Sequence, residues 1–80
     1  MFKVIYSKQA IKALRKVSEP DRSRMQTAIN KLPGGDVKKL VGETGYRLRV
    51  EGWRIVYEIE HDRLMIEVIK ISPRGKVYKH

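Results

Sequence analysis

In this 80-residue chain the side chains with the clearest chemical pattern are arginines at alternating positions. Tyr46, Leu48 and Val50 alternate with Arg47, Arg49 and Glu51. After Gly52, Trp53, Ile55, Tyr57 and Ile59 alternate with Arg54, Val56, Glu58 and Glu60. Period two is the pattern of half-buried strands. With Glu51-Gly52 as a two-residue hairpin loop, Val50 faces Trp53, Leu48 faces Ile55 and Tyr46 faces Tyr57, which makes one apolar face. The same register sets Arg49 against Arg54, and Arg47 against Val56, on the opposite face. Like charges directly opposed across a sheet are destabilising, so packing gives no reason for three guanidiniums there. The planar guanidinium fork matches phosphate, and the patch reads as an anion site. The competing reading is a set of surface ion pairs, worth little, with Glu67 near Arg47 across Val56 and with Glu51 and Glu58 close by.

A second cluster ends the chain, Ser72-Pro73-Arg74-Gly75-Lys76-Val77-Tyr78-Lys79-His80. If the last strand lies beside the hairpin, this basic tail starts near Arg54 and can bring Arg74 and Tyr78 to the rim of the patch. Metal chemistry is not expected. The chain has no cysteine, and His61 and His80 have no neighbours at ligand spacing. No cofactor is expected either. No apolar run exceeds three residues, as in Leu64–Ile66, against about 20 for a membrane span. A cytoplasmic location, with no membrane partner, is the expectation.

These residues need elements to position them. Phe2–Tyr6 reads as a first strand. Ser7 is placed as an N-cap, followed by an apolar stripe of Ala10, Ile11, Leu14 and Val17. Ser18-Glu19-Pro20-Asp21 restarts the chain for a second stripe, Met25, Ala28, Ile29 and Leu32, which Pro33-Gly34-Gly35 stops. The two arginine strands and a third run, Leu64–Ile71 after the turn His61-Asp62, complete an antiparallel meander. The expectation is one domain over residues 1–80. Its class is α+β, a strand, a helical hairpin and a three-stranded antiparallel meander in two layers.

Charge adds a partner class. Eighteen basic against nine acidic residues give +9, which points to a polyanion. Residues 1–40 hold 10 basic and 3 acidic groups, so most of the excess lies in the helical half. Lys8, Lys12, Arg15, Lys16, Arg22 and Arg24 are the docking candidates there, with Lys76 and Lys79 in the tail. A solvated helix face is the alternative reading.

The blocks Lys39-Leu40-Val41-Gly42, Gly45-Tyr46-Arg47-Leu48-Arg49-Val50, Trp53-Arg54-Ile55-Val56-Tyr57 and Arg74-Gly75-Lys76-Val77-Tyr78 together resemble the RelE/ParE toxin superfamily, in its RelE-like branch. Tyr6-Ser7-Lys8-Gln9-Ala10 before a helical hairpin fits the same pattern, so the resemblance covers nearly the whole chain. It implies a two-layer RelE-like fold and the toxin of a type II toxin–antitoxin system. The implied activity is a metal-independent, ribosome-dependent mRNA endonuclease that arrests translation. Arg47, Arg49, Arg54, Arg74 and Tyr78 then stand at the positions of the RelE-like catalytic set. The chain departs from those relatives that carry the tail arginine two positions earlier, where Ser72 stands. The implied partners are the ribosome, mRNA and an acidic antitoxin whose wrapping segment forms a hetero-oligomer with the toxin. Two alternatives remain: a ParE-like toxin that inhibits gyrase without nuclease chemistry, and a non-catalytic RNA- or ribosome-binding module.

Overall fold

The computed structural model describes residues 2–73, as five strands and two helices in the order β1 (Lys3–Tyr6), α1 (Lys8–Lys16), α2 (Asp21–Asn30), β2 (Val37–Lys39), β3 (Tyr46–Val50), β4 (Trp53–Glu60) and β5 (Met65–Pro73). The strands form one sheet in the order β1-β5-β4-β3-β2. β1 runs parallel to β5 and the other pairs are antiparallel. This is the expected α+β class with its antiparallel meander, enlarged by one strand. β2 has three residues with Val37 as its one apolar side chain, too short to show alternation.

Both helices lie on one face of the sheet. Ala10, Met25 and Ile29 from the helices and Val17 from just beyond α1 close on Leu48, Val50, Ile55, Tyr57, Ile66, Val68 and Ile71 from the strands. Each large aliphatic or aromatic side chain buried here stabilises the fold by about 1.5–3 kcal/mol. Leu32 joins the core from just beyond α2, whereas Ile11, expected on the buried stripe, is 40% exposed.

Helix α1 begins as its sequence suggests, with the Ser7 hydroxyl accepting the Ala10 N–H at 3.0 Å. The same hydroxyl donates to the Ile69 carbonyl at 2.6 Å. Gln9 continues the pattern, accepting the Ile71 N–H at 3.2 Å and donating to the Ile71 carbonyl at 3.5 Å. Strand β1 stops pairing at Val68, so these two side chains satisfy backbone groups of β5 that have no strand neighbour.

Helix α2 is capped differently. Pro20 at the N-cap supplies no side-chain bond, and the Glu19 carboxylate instead accepts the Ser23 N–H at 3.1 Å. Hydrogen bonding from Ser23, followed by the nearby Arg22 guanidinium, holds the Glu19 carboxyl below its usual range. A depressed folded-state pKa means a contribution present above the unfolded value, about 4.3, and lost as pH falls through the lower folded value. Glu19→Gln imitates the protonated acid. It should lower the thermal midpoint at neutral pH, and that gap should close in an acid titration followed by circular dichroism.

Candidate functional site

The site is built on the β3–β4 hairpin. Its register is the one that the alternation implies: Tyr46 opposite Tyr57, Arg47 opposite Val56, Leu48 opposite Ile55, Arg49 opposite Arg54 and Val50 opposite Trp53. Leu48, Val50, Ile55 and Tyr57 are buried under the helices, which leaves Arg47, Arg49 and Arg54 together on the open face. Glu51 closes the loop at φ 53°, the left-handed conformation demanded by a two-residue hairpin turn.

The three arginines differ in their surroundings. Arg47 is tethered. Its side chain is 14% exposed, donates to the Asp36 carbonyl at 3.4 Å and pairs with the Asp36 carboxylate at 3.8 Å. Arg49 and Arg54 are exposed, and neither forms an ion pair with a described carboxylate. Beyond a two-residue loop the pair after the closing one is not hydrogen-bonded, so its Cα atoms approach to about 4.5 Å and its side chains lie close. Two guanidiniums held this way have the charge and the spacing that one shared anion would need.

The expected proximity of Glu67 to Arg47 across Val56 is not found. Two features shift β5. The loop after β4 spans His61–Leu64 instead of two residues, with Leu64 turned out of the strand at φ 52° and 51% exposed. A register shift between Val56 and Tyr57 then skips Ile69, so that Lys70 stands opposite Val56 and Glu67 opposite Glu58. The signal was present in the sequence: buried Ile66, Val68 and Ile71 are spaced by two and then three, which a regular strand cannot accommodate.

Two cations therefore join the patch that sequence reasoning missed, Lys70 opposite Val56 and Lys38 opposite Arg47. The other end of the same face is acidic. Glu58 accepts from the Thr44 hydroxyl at 3.0 Å, and Glu60 pairs with Arg63 at 3.5 Å. None of Glu51, Glu58 and Glu67 forms an ion pair with Arg47, Arg49 or Arg54, and Glu51 pairs with Arg24 of α2 at 3.8 Å.

Ser72 lies opposite Arg54 and Pro73 opposite Trp53, so β5 ends beside the patch. Arg74, Lys76, Tyr78 and Lys79 lie outside the described residues. Among the described tyrosines, burial pushes the phenols of Tyr6 and Tyr57 up, with a Gln26 hydrogen bond partly offsetting the shift at Tyr6. Both move away from use as a base at neutral pH. Among the described residues no three His, Cys, Asp or Glu side chains gather where they could hold a metal ion, and no helix is long and apolar enough to cross a membrane.

The docking candidates divide. Lys8, Lys12, Arg15 and Lys16 are exposed along α1 and make no ion pair with a described residue. Arg22 pairs with Glu19 at 3.4 Å, and Arg24 with Glu51. Both therefore also have structural work on α2.

No family model matches the chain, and no curated protein matches it. Solved structures do. The archaeal RelE–RelB complex from Pyrococcus horikoshii OT3 contains a chain with 26% identity and a TM-score of 0.79, with 95% of this chain and 98% of that one covered. The RelB–RelE antitoxin–toxin complex from Methanococcus jannaschii gives 26% identity and a TM-score of 0.75, covering 92% and 94%. The isolated E. coli RelE toxin has the same fold at 18% identity, with a TM-score of 0.78 over 98% of this chain and 89% of that one. This sheet and helical hairpin are the fold of the RelE toxins, and two archaeal RelE chains at 26% identity are similar to this chain over more than nine-tenths of its length.

Proposed function

We propose that this chain is the toxin of a toxin–antitoxin pair and that its open sheet face binds and cleaves mRNA on the ribosome. The observation that carries the reading is the Arg49–Arg54 pair, two exposed guanidiniums directly opposed without a described carboxylate between them. Antitoxin association is supported by the similar archaeal chains, whose structures are RelE–RelB complexes.

Cleavage proceeds by attack of the 2′-oxygen on the adjacent phosphorus. The P–O5′ bond breaks, leaving a 2′,3′-cyclic phosphate and a 5′-hydroxyl. One proton leaves the 2′-hydroxyl and another reaches the 5′-oxygen. Arg49 and Arg54 hold the phosphate and stabilise the charge that grows on the phosphorane, with Arg47 fixed beside them. A guanidinium does not give up its proton at neutral pH, so these residues act through charge. The resemblance supplies Tyr78 as the base, once neighbouring cations lower its phenol, and Arg74 as a further charge on the leaving side. Orientation of the RNA must then supply much of the rate, which is why a host machine is needed.

Cleavage of mRNA in a purified translation system tests this reading. Arg54→Ala should cost about 100-fold in rate, the scale of losing one charge-stabilising donor, and Tyr78→Phe should also slow the reaction. Folded variants that cut at the parent rate overturn the residue assignment. Inhibition of gyrase supercoiling with no mRNA cut selects the ParE-like alternative.

Arg49→Gln should show opposed effects, slowing cleavage while raising the unfolding free energy by up to about 1 kcal/mol as the like-charge contact is relieved. A fall in stability would show that Arg49 has a structural partner. For docking, Lys8→Glu with Lys12→Glu and Lys16→Glu should leave the fold intact and weaken binding to the antitoxin or the ribosome. Unchanged affinity for both removes α1 from either interface.

A further inference from the structure

The hairpin tip that carries Arg49 and Arg54 combines two unfavourable features. Glu51 is a non-glycine residue at φ 53°, a conformation that costs about 1–2 kcal/mol. Immediately beyond it the two guanidiniums face each other. Burial of Val50, with Trp53 packed against the core, sets the register of this tip but leaves space beside it. Between α2 and β3 lies a groove of about 550 Å³ lined in part by Thr27, Lys31, Leu48 and Val50. On the other side Trp53 stands opposite Pro73, which has no N–H to give to the ladder.

Two polar contacts from the start of α2 reach the tip. The Trp53 indole N–H donates to the Asp21 carboxylate at 3.0 Å in a partly buried setting. Arg24 pairs with Glu51 at 3.8 Å between largely exposed side chains. Asp21 and Arg24 are three residues apart and so lie on one face of the helix, and their partners flank Gly52. The charge-assisted Asp21–Trp53 bond is the stronger of the two contacts.

We propose that Asp21 is a positioning residue: through Trp53 it holds the β3–β4 hairpin so that Arg49 and Arg54 converge on one RNA phosphate. This rests on the RNA reading of the open face. Asp21 touches no substrate and acts only through the indole, on the helix side of the sheet. Loss of the bond frees the tip to splay, and the two guanidiniums relax apart under their own repulsion.

The test is the salt dependence of binding to a short single-stranded RNA, with folding followed by circular dichroism. For a single strand each phosphate contact contributes about 0.7 to the slope of log affinity against log salt. Asp21→Ala should reduce the slope by about that amount, whereas Asp21→Asn, which keeps an oxygen acceptor, should stay near the parent value. Trp53→Phe keeps an aromatic ring without the donor and should match Asp21→Ala. It carries the test if that variant does not fold.

A purely structural bond would lower the melting midpoint and leave the slope unchanged, an outcome that overturns the positioning role. If the parent chain itself shows no salt-dependent binding, the RNA reading fails and takes this inference with it. Parent binding with unchanged slopes in the folded variants removes the inference alone.

Discussion

Two guanidiniums opposed on neighbouring strands repel, and the β3–β4 register keeps them opposed. That register is enforced from the other face. A slip of one residue would carry Leu48, Val50, Ile55 and Tyr57 out of the core. Each of those side chains contributes about 1.5–3 kcal/mol by being buried, against a like-charge cost below about 1 kcal/mol for the arginine pair. Burial wins by a wide margin. The sheet can therefore sustain an unfavourable contact on its open face because the helical face determines which residues pair.

The rest of the architecture protects that arrangement at its margins. Strands β1 and β2 are the sheet edges, and both are short. Where β1 ends, Ser7 and Gln9 from the first turn of α1 take over the exposed backbone of β5. Where β2 begins, Asp36 accepts from the Arg49 backbone N–H at 3.0 Å and also holds the Arg47 side chain. One residue thus ends an edge and fixes one of the three arginines, leaving the other two exposed. The open face is polarised as well. Along β4 the charge reverses between Arg54 and Glu58, a separation of about 13 Å for four residues of strand, so its potential changes sign across the sheet.

How legible each part was in the sequence follows from how local its signal is. The hairpin could be read because alternation runs through the ten paired positions and the loop is two residues long, so one register satisfies all of them. β5 could not be placed by the same method. A four-residue loop and a bulge each displace its pairing, and together they put Lys70 where Glu67 was expected. The spacing of Ile66, Val68 and Ile71 held the warning. β2 offers a single apolar residue between charged ones, and its pairing with β3 forms only across the six-residue connection 40–45. Lys38 therefore joins the patch only through tertiary pairing. Asp21 and Trp53 were read as a helix restart and a core aromatic. Their bond spans 32 positions of sequence, which no local pattern can encode.

Fold and chemistry rest on different grounds here. The sheet order and helical hairpin are shared with RelE chains along their length, yet a shared scaffold does not by itself specify a reaction. What distinguishes the Arg49–Arg54 end of this face is charge with no carboxylate paired to it among the described residues; Glu58 and Glu60 lie at the other end, and the two shifted phenols, Tyr6 and Tyr57, lie off the face and move up. A site of that composition stabilises a phosphorane far better than it creates the attacking alkoxide. Aligning the 2′-oxygen with the P–O5′ bond is worth several kcal/mol when another body holds the RNA. On the proposed reading, ribosome dependence follows from the chemistry this face lacks as much as from the charge it carries.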